Sequence, residues 1–585
     1  MTKLSELPGF RVHLSQLMQQ AALALRIEGA LSIEISRTKQ ASHGDYSCNL
    51  AMQLAKALHK SPREIAGMLI DAMPESAYVE RTEVAGAGFI NFFIRSDAKR
   101  IYLKHIMRSG DGYGASSFGN GEKIQVEFVS ANPTGPLHVG HGRGAAFGAS
   151  LANVLSKAGF LVTREFYVND AGRQMDILTL SAWLRYLALN QVSIPFPENA
   201  YQGEYVKDMA RLIYEAHGDR YVHQPDALLD GLPETAHETA ISTDEQLDRI
   251  IANAKKILGQ DYAYMHNFVL TEQLGDCRND LMEFGVEFDT WFSEQSLFDN
   301  GLVARAVRLL DEKKHLYRQD GALWFRSTEF GDEKDRVVQR ENGHYTYFAS
   351  DIAYHLNKFE RGFDRVINVW GADHHGYIPR IKGALQALEQ EPDNLKIALV
   401  QFAVLYRDGI KAPMSTRSGE FVTLRELRNE VGNAAARFFY VMRKSDQHLD
   451  FDLDLAKSQS NENPVYYVQY AHARICSVLT QWGGDATMLA DIDTSLLTNP
   501  AELALLQYLI DFPDTVEAAA QELSPHVIAF YLRELASEFH SYYNSTHFLV
   551  PEVPIMEARL ALVASIRHVL KNGLELLGVN APDKM

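Results

Sequence analysis

Residues 124–168, IQVEFVSANPTGPLHVGHGRGAAFGASLANVLSKAGFLVTREFYV, decide the fold. Ile124 to Val129 alternates apolar and polar side chains as a strand does. The two prolines of the Asn132 to Pro136 loop end it. Ala145 to Ala158 is rich in Ala and Leu, reads as a helix, and closes on Gly159, a residue suited to the turn after a helix C-terminus. Phe160 to Val168 reads as a second strand. Strand, helix and strand in this order predict a βαβ unit, hence a parallel sheet with a ligand crevice at the carboxyl ends of its strands.

His138-Val139-Gly140-His141 falls between the first strand and its helix. The start of that helix offers backbone N–H groups and the positive end of a dipole, which suits ATP phosphates. Two imidazoles one turn apart can hydrogen-bond phosphate and stabilise charge that develops in a transition state. Gly140 leaves room for adenine to approach the backbone. Standing alone, the pair could also be two surface histidines ahead of an ordinary helix.

The rest of the chain is organised around this unit. Residues 1–110 read as a small α+β unit, with helical spacing at Ala21 to Leu25 and Leu50 to Leu58 and a strand at Gly88 to Ile94. The Gly- and Ser-rich stretch Ser109 to Gly121 marks a boundary. Residues 111–455 carry the sheet, with a charged, helical insertion at about 184–297 and strand signals at Ala322 to Arg326, Arg365 to Trp370 and Leu399 to Leu405. Residues 456–585 are all helical, with long patterns at Val465 to Leu479, Ala501 to Leu509, His526 to Tyr543 and Met556 to Leu577. The fold class is α/β, a Rossmann-type sheet domain flanked by a small α+β domain and an all-α domain.

Composition narrows the setting without naming the function. Hydrophobic residues at 46% and charged residues at 23% place the 585-residue chain among globular proteins of two to four domains. No window has the ~18 apolar residues of a membrane span, and Met1 to Phe10 is no secretory signal. Cys48, Cys277 and Cys476 are unpaired in spacing, which argues against disulfides and a Cys-based zinc site and for a reducing cytoplasm. A net charge of -18 runs against a nucleic-acid partner, which calls for basic surface, unless one face is locally basic.

Glu127-Phe128-Val129-Ser130-Ala131-Asn132-Pro133-Thr134-Gly135-Pro136-Leu137-His138-Val139-Gly140-His141 resembles, nearly residue for residue, the signature of bacterial arginyl-tRNA synthetases, which belong to class I of the aminoacyl-tRNA synthetases. The resemblance implies that His138, Gly140 and His141 serve ATP, and that Glu127 and Asn132 hold the amino acid. It also implies a downstream mobile loop of the Lys-Met-Ser-Lys-Ser type. Met414-Ser415-Thr416-Arg417-Ser418-Gly419 fits, with Pro413 and Thr416 where lysines are usual. Arg417 is then the candidate cation for pyrophosphate charge, Lys411 a helper, and Met414 and Ser415 complete the loop.

Three further stretches resemble the arginine enzymes: Tyr167 to Gln174, Tyr347 to Ala353 on a strand end running into a helix, and Trp370 to Gly376 at another strand end. A guanidinium is planar with five donors, so its pocket needs a carboxylate and further acceptors in fixed geometry. By resemblance Asp351 takes the guanidinium, Tyr347 packs beside it, and Gly371, Asp373 and His374 line the ribose and amino-acid side. Asp351 could instead be a helix N-cap. His374-His375 has no third ligand in spacing, so no structural metal is expected.

The same resemblance extends to the ends. Gly86 to Phe92 is similar to the family's extra domain, which reads the tRNA D-loop, with Phe89 to stack a base and Asn91 to read its edge. Phe89 could equally be a core strand residue. Tyr466 to Arg474 and Phe539 to Asn544 resemble the anticodon-binding bundle. Leu577 to Met585 matches the family's ending, in which the last residue, Met585, lies near the anticodon. The expectation is therefore an arginine–tRNA ligase acting on arginine, ATP with its Mg²⁺, and tRNA-Arg, monomeric and cytoplasmic. Cysteine specificity would need a zinc site, and aliphatic specificity a long editing insertion. A small-molecule nucleotidylyltransferase would leave the flanking domains idle. A non-catalytic RNA-binding paralogue predicts decay at His138, Gly140 and His141.

Overall fold

The structure is a computed structural model that describes residues 9–27, 31–38, 41–223, 225–231, 242–412 and 422–585. It divides into two compact units. One comprises residues 121–152 and 160–457, and the other residues 1–120, 153–159 and 458–585.

The first of these is built on a five-stranded parallel sheet. Its strands are β1 (Lys123–Glu127), β2 (Leu161–Val168), β3 (Thr290–Ser293), β4 (Arg365–Gly371) and β5 (Leu395–Val400), in the order β5-β4-β1-β2-β3. The chain runs outward from β1 through β2 to β3, then returns to the other side of β1 for β4 and β5. The strand order thus reverses between β1 and β4, which opens a crevice above their carboxyl ends. The helix expected after β1 is α1 (Val139–Lys157), and it begins inside the histidine motif. A Cβ at Gly148 would lie 2.3 Å from the Phe128 ring, so only glycine lets α1 lie this close to the sheet.

Several expected strands serve other roles. Ala322–Phe325 belongs to a separate antiparallel sheet with Leu316–Gln319 and Arg336–Gln339. The Leu399 to Leu405 stretch splits between β5 and Ala403–Arg407, which pairs with Leu449–Asp452 in another sheet. Helices already begin at Arg173–Leu189 and run to Gln260–Glu283, around a core that includes Trp183, Tyr186 and Ile250. The chain is back in the parallel sheet by β3, where Trp291 pairs with Phe166. Tyr347 to Ala353 is helical throughout, as the first two turns of α2 (Tyr347–Glu360).

The second unit joins the two ends of the chain. A four-stranded antiparallel sheet, ordered Ile35–Arg37, Tyr46–Cys48, Phe89–Ile94, Val79–Ala85, packs against helices Phe10–Ala24, Leu50–Leu58 and Pro62–Asp71. With it are the long helices Ser96–Ser109, Pro464–Trp482, Pro500–Gln521, His526–Ser545 and Val553–Leu576. Ile510 of the third of these packs in one core with Phe10, Tyr46 and Phe92. Among the described residues no helix is long and apolar enough to cross a membrane.

Candidate active site

A cleft of about 580 Å³ lies at the carboxyl ends of β1 and β4 and gathers Glu127, Asn132, His138, Gly140, His141, Asp351, Gly371, Asp373 and His374. These residues are separated by up to 247 positions in the chain, and the strand reversal is what brings them together. The backbone entering the cleft is strained. Val129 and Ser130 hold φ of 67° and 42°, the left-handed region that a β-branched residue rarely adopts. Ser130 anchors the bend, because its hydroxyl donates to Glu127 Oε1 at 2.9 Å and accepts the Tyr167 N–H at 3.1 Å.

The two histidines stack, with ring centroids 3.7 Å apart and 23° between planes. His141 Nδ1 accepts the His138 N–H at 3.3 Å, and His138 Nδ1 accepts the Gly140 N–H at 3.1 Å. Each imidazole accepts at Nδ1, so its proton sits on Nε2 as a donor. Burial lowers both pKa values, that of His141 to about 3 with help from His138. The pair therefore offers neutral N–H donors rather than cations. Gly140 has a different reason from the one its position suggested. A Cβ there would stand 2.8 Å from His138 Cε1, so the glycine is needed for the His138 ring to fold back.

The opposite wall is acidic. Asp351 sits in the second turn of α2, and Thr346 is the N-cap of that helix, so Asp351 is no cap. Its Oδ2 accepts from the Tyr377 hydroxyl. Burial first, then the charge of Glu127, pushes the Asp351 carboxyl up to about 6. Behind it Glu294 accepts the Ser350 hydroxyl at 3.2 Å, and burial, with Asp351 adding to it, raises this carboxyl to about 7. Below the cleft the fully buried Lys358 binds Glu127 Oε2 and, at 2.8 Å, Asn368 Oδ1. Asn368 Nδ2 donates to His355 Nε2 at 2.7 Å, and His355 Nδ1 donates to the Asp351 carbonyl at 2.8 Å. One chain of hydrogen bonds thus ties Glu127 on β1 to Asp351 on α2 through β4.

Tyr377, Glu294 and Lys358 reach or support this wall without having been singled out from the sequence, and Tyr167 was named only as the first residue of the Tyr167 to Gln174 stretch. Only the helical spacing of Asp351, His355 and Lys358 carried a signal, since positions four and three apart share a helix face. Tyr347, expected beside the guanidinium, starts α2 with 65% of its surface exposed and does not line the cleft. The first turn of the helix turns it outward, and Tyr377 stands against Asp351 instead. His374 lines the cleft but is largely exposed beside Asp373, 3.6 Å away. A Cβ on Gly371 would meet Asp373 Oδ1 at 2.4 Å.

Met414, Ser415 and Arg417 lie outside the described residues, while Lys411 is exposed in the two-residue strand Ile410–Lys411. Phe89 opens its strand exposed, but Asn91 is only 4% exposed in the sheet centre. The expectation that Asn91 reads a base edge is corrected on that ground, because so little of the side chain is open to a base. Met585 is exposed at the chain end. The segment before it is fastened to helix Pro464–Trp482. Gln469 Nε2 donates to the Asn580 carbonyl at 2.9 Å, and His472 Nδ1 donates to that of Pro582 at 2.9 Å. Cys476 Sγ donates to Asp583 at 3.3 Å, so one of the cysteines does meet a histidine and a carboxylate here.

A parallel sheet with paired histidines opening its first crossover helix, above a cleft at the strand reversal, defines a class I aminoacyl-tRNA synthetase. Residues 103–453 match the catalytic domain of class I (R) tRNA synthetases, residues 12–94 the arginyl tRNA synthetase N-terminal domain, and residues 468–585 the DALR anticodon binding domain. The chain belongs to the arginyl-tRNA synthetase family. It is 70% identical to the arginine–tRNA ligase of Nitrosospira multiformis over 99% of both chains. It is 69% identical to that of Nitrosomonas europaea, also over 99% of both. The solved arginyl-tRNA synthetase of Thermus thermophilus is 24% identical, covers 98% of this chain and 100% of its own, and shares the fold at a TM-score of 0.75.

Proposed function

We propose that this chain is an arginine–tRNA ligase whose cleft first makes arginyl-adenylate and then hands arginine to the terminal ribose of tRNA-Arg. The observation that carries the reading is a carboxylate wall, half-buried Asp351 with buried Glu294 behind it, sharing one cleft with two stacked imidazole donors. A guanidinium suits the first side and triphosphate oxygens suit the second.

Arginine lies with its guanidinium toward Asp351 and its α-ammonium toward Glu127 and Asn132. Its carboxylate attacks the α-phosphorus of ATP, pyrophosphate leaves, and the mixed anhydride remains bound. His138 and His141 donate Nε2–H to phosphate oxygens as charge builds. Gly371, Asp373 and His374 take the ribose side. The tRNA ribose hydroxyl, by class the 2′-OH, then attacks the acyl carbon and AMP leaves. No protein nucleophile is needed, because positioning and charge stabilisation account for the chemistry. The loop at Met414, Ser415 and Arg417 supplies a cation for the pyrophosphate. Mg²⁺ arrives on the ATP phosphates and spreads their charge.

Residues 1–110 read the D-loop, with Phe89 as the stacking residue, residues 111–455 do the chemistry, and residues 456–585 with Met585 read the anticodon. The enzyme acts as a cytoplasmic monomer. Its three cysteines are free and buried, which fits a reducing compartment. Aminoacylation of tRNA-Arg, run against all amino acids with ATP, tests the reading. Charging of arginine alone is expected, and charging of another amino acid or none would overturn it. ATP–pyrophosphate exchange that needs no amino acid specificity would point to a nucleotidylyltransferase instead.

A further inference from the structure

The segment that follows the Met414 to Gly419 stretch in the sequence returns to the histidine motif. Thr423 pairs with His138 in an antiparallel bridge. On either side of it the Val139 N–H donates to the Val422 carbonyl at 3.0 Å, and the Leu424 N–H donates to the Leu137 carbonyl at 2.7 Å. Residues 422–424 thus hold the backbone that carries His138. A Cβ on Gly142 would meet Leu424 Cδ1 at 2.9 Å, so the contact continues into the first turn of α1. Thr423 is also the N-cap of helix Leu424–Val431, with Glu426 completing a capping box. The start of that helix and the histidine motif therefore move together.

Charges on a second helix fasten this one from outside the cleft. Arg425 and Arg428 share one face of helix Leu424–Val431, and Asp276, Asp280 and Glu283 share one face of helix Gln260–Glu283. Arg425 donates through Nε to Asp280 Oδ1 at 2.8 Å and through Nη2 to Asp276 Oδ1 at 2.6 Å. Arg428 donates to the same Asp280 oxygen at 3.2 Å and to Glu283 Oε2 at 2.6 Å. Asp280 and Arg428 are buried, while Arg425 and Asp276 are partly open to solvent. None of the five lines the cleft. A planar guanidinium that bridges two carboxylates fixes direction as well as distance, so Arg425 sets the angle at which its helix begins.

We propose that Arg425 is a positioning residue for adenylate formation, which by bridging Asp276 and Asp280 fixes the start of helix Leu424–Val431 and, through residues 422–424, the backbone that carries His138. The inference rests on the reading of the cleft as a ligase site and adds a residue outside it. The imidazole donors count only where they meet phosphate oxygens as charge builds, and a displacement of about 1 Å costs on the order of a hundredfold in rate. Losing Arg425 therefore lowers turnover. It leaves the binding of arginine in place, because Glu127 and Asp351 are held through α2 and β4.

Arg425→Gln and Arg425→Lys in the full-length chain test this by ATP–pyrophosphate exchange with arginine and tRNA-Arg present. In Arg425→Gln the kcat should fall about tenfold or more, with the KM for arginine within about twofold. The melting temperature should stay close to that of the wild type, because Arg428 keeps Asp280 paired and a partly exposed ion pair contributes little to stability. Arg425→Lys keeps the charge and can still reach one carboxylate, so it should recover part of the lost rate. An unchanged kcat in Arg425→Gln would overturn the inference. So would a lowered melting temperature with kcat and arginine KM both impaired and no recovery in Arg425→Lys, the signature of a packing role. The wild-type protein in the same assay separates the two readings. If it supports no exchange with arginine, the ligase reading falls. If it does and Arg425→Gln matches it, only the role of Arg425 falls.

Discussion

Tyr46 and Asp511, 465 positions apart in the chain, meet in a buried hydrogen bond of 2.5 Å in which the phenol donates to Oδ1. Gln507 Nε2 donates to both, at 2.7 and 3.0 Å, and Arg37 approaches Asp511 Oδ2 at 3.3 Å while its guanidinium lies 4.1 Å from the Tyr508 ring centre. This network joins the antiparallel sheet near the N-terminus to helix Pro500–Gln521.

Breaking the network should loosen one end of the chain from the other while leaving the chemistry intact. Tyr46→Phe strands Asp511 and Gln507 without their hydroxyl and should cost ~1–3 kcal/mol. Thermal unfolding measures the loss. The KM values for arginine and ATP should hold, because the cleft is built from other elements, and a change in either would show that the network reaches the active site.

Asp514 gives the same region a pH dependence. Burial raises its carboxyl to about 7, with Arg11 opposing and Asp511 and Glu517 adding to the rise. The folded pKa lies above the unfolded value near 4, so the folded state holds the proton more tightly. Stability from this group is therefore greatest below about pH 4 and declines as pH climbs from 4 to 7, by at most ~4 kcal/mol. Asp514→Asn should flatten that decline. Calorimetric melting at pH 5 and pH 8 should show the wild type losing more than the variant, and equal losses would dismiss Asp514 as the cause.

The phosphate side makes two paired expectations. His141→Ala removes one Nε2–H donor and should lower the adenylation rate by ~10²–10³ with little change in tRNA affinity. Gly140→Ala should have a comparable effect by another route, since the new Cβ displaces the His138 ring. Burial holds His141 at about 3, so the wild-type rate should show no inflection between pH 6 and 7 from this residue. Near-normal turnover in His141→Ala would take it out of the chemistry.

What could be read from the chain beforehand follows how local each cause is. The unit from Ile124 to Val168 was legible because strand alternation, the proline loop and helical spacing are all set within 45 consecutive residues. Asp351 was legible as a residue but not as a place, because a carboxylate near a helix start reads equally as cap or pocket until Thr346 is seen to hold the cap. Glu294 and Tyr377 left no such trace. Each acts through a neighbour on α2, Ser350 for Glu294 and Asp351 for Tyr377, and sequence spacing carries nothing about which elements meet. Asn91 misled for the opposite reason. Its motif suggested a surface, but the residue sits in a strand with neighbours on both sides, opposite in face to Ile90 and Phe92, and keeps only 4% of its surface exposed.

The acidic wall yields the sharpest expectation. The Asp351 carboxyl sits at about 6 and that of Glu294 at about 7, and the two titrate as a pair. Burial raises both, so below this range they are protonated and uncharged in the ligand-free protein. A guanidinium favours the charged forms, so binding arginine must release protons there. The KM for arginine should therefore fall as pH rises from 5.5 to 7.5 and level off above. Stability of the ligand-free protein should run the other way, declining as pH rises through the same range. Asp351→Asn keeps the shape and removes one charge. It should raise the arginine KM at pH 7.5 by ~10–100-fold, the weight of a charge-assisted bond, and weaken the pH dependence. The KM for ATP should barely move, and lysine should stay a poor substrate. Because Thr346 holds the N-cap, no cap is lost, and the melting temperature should stay level or rise at neutral pH. An arginine KM that ignored both the substitution and the pH would remove Asp351 from the pocket.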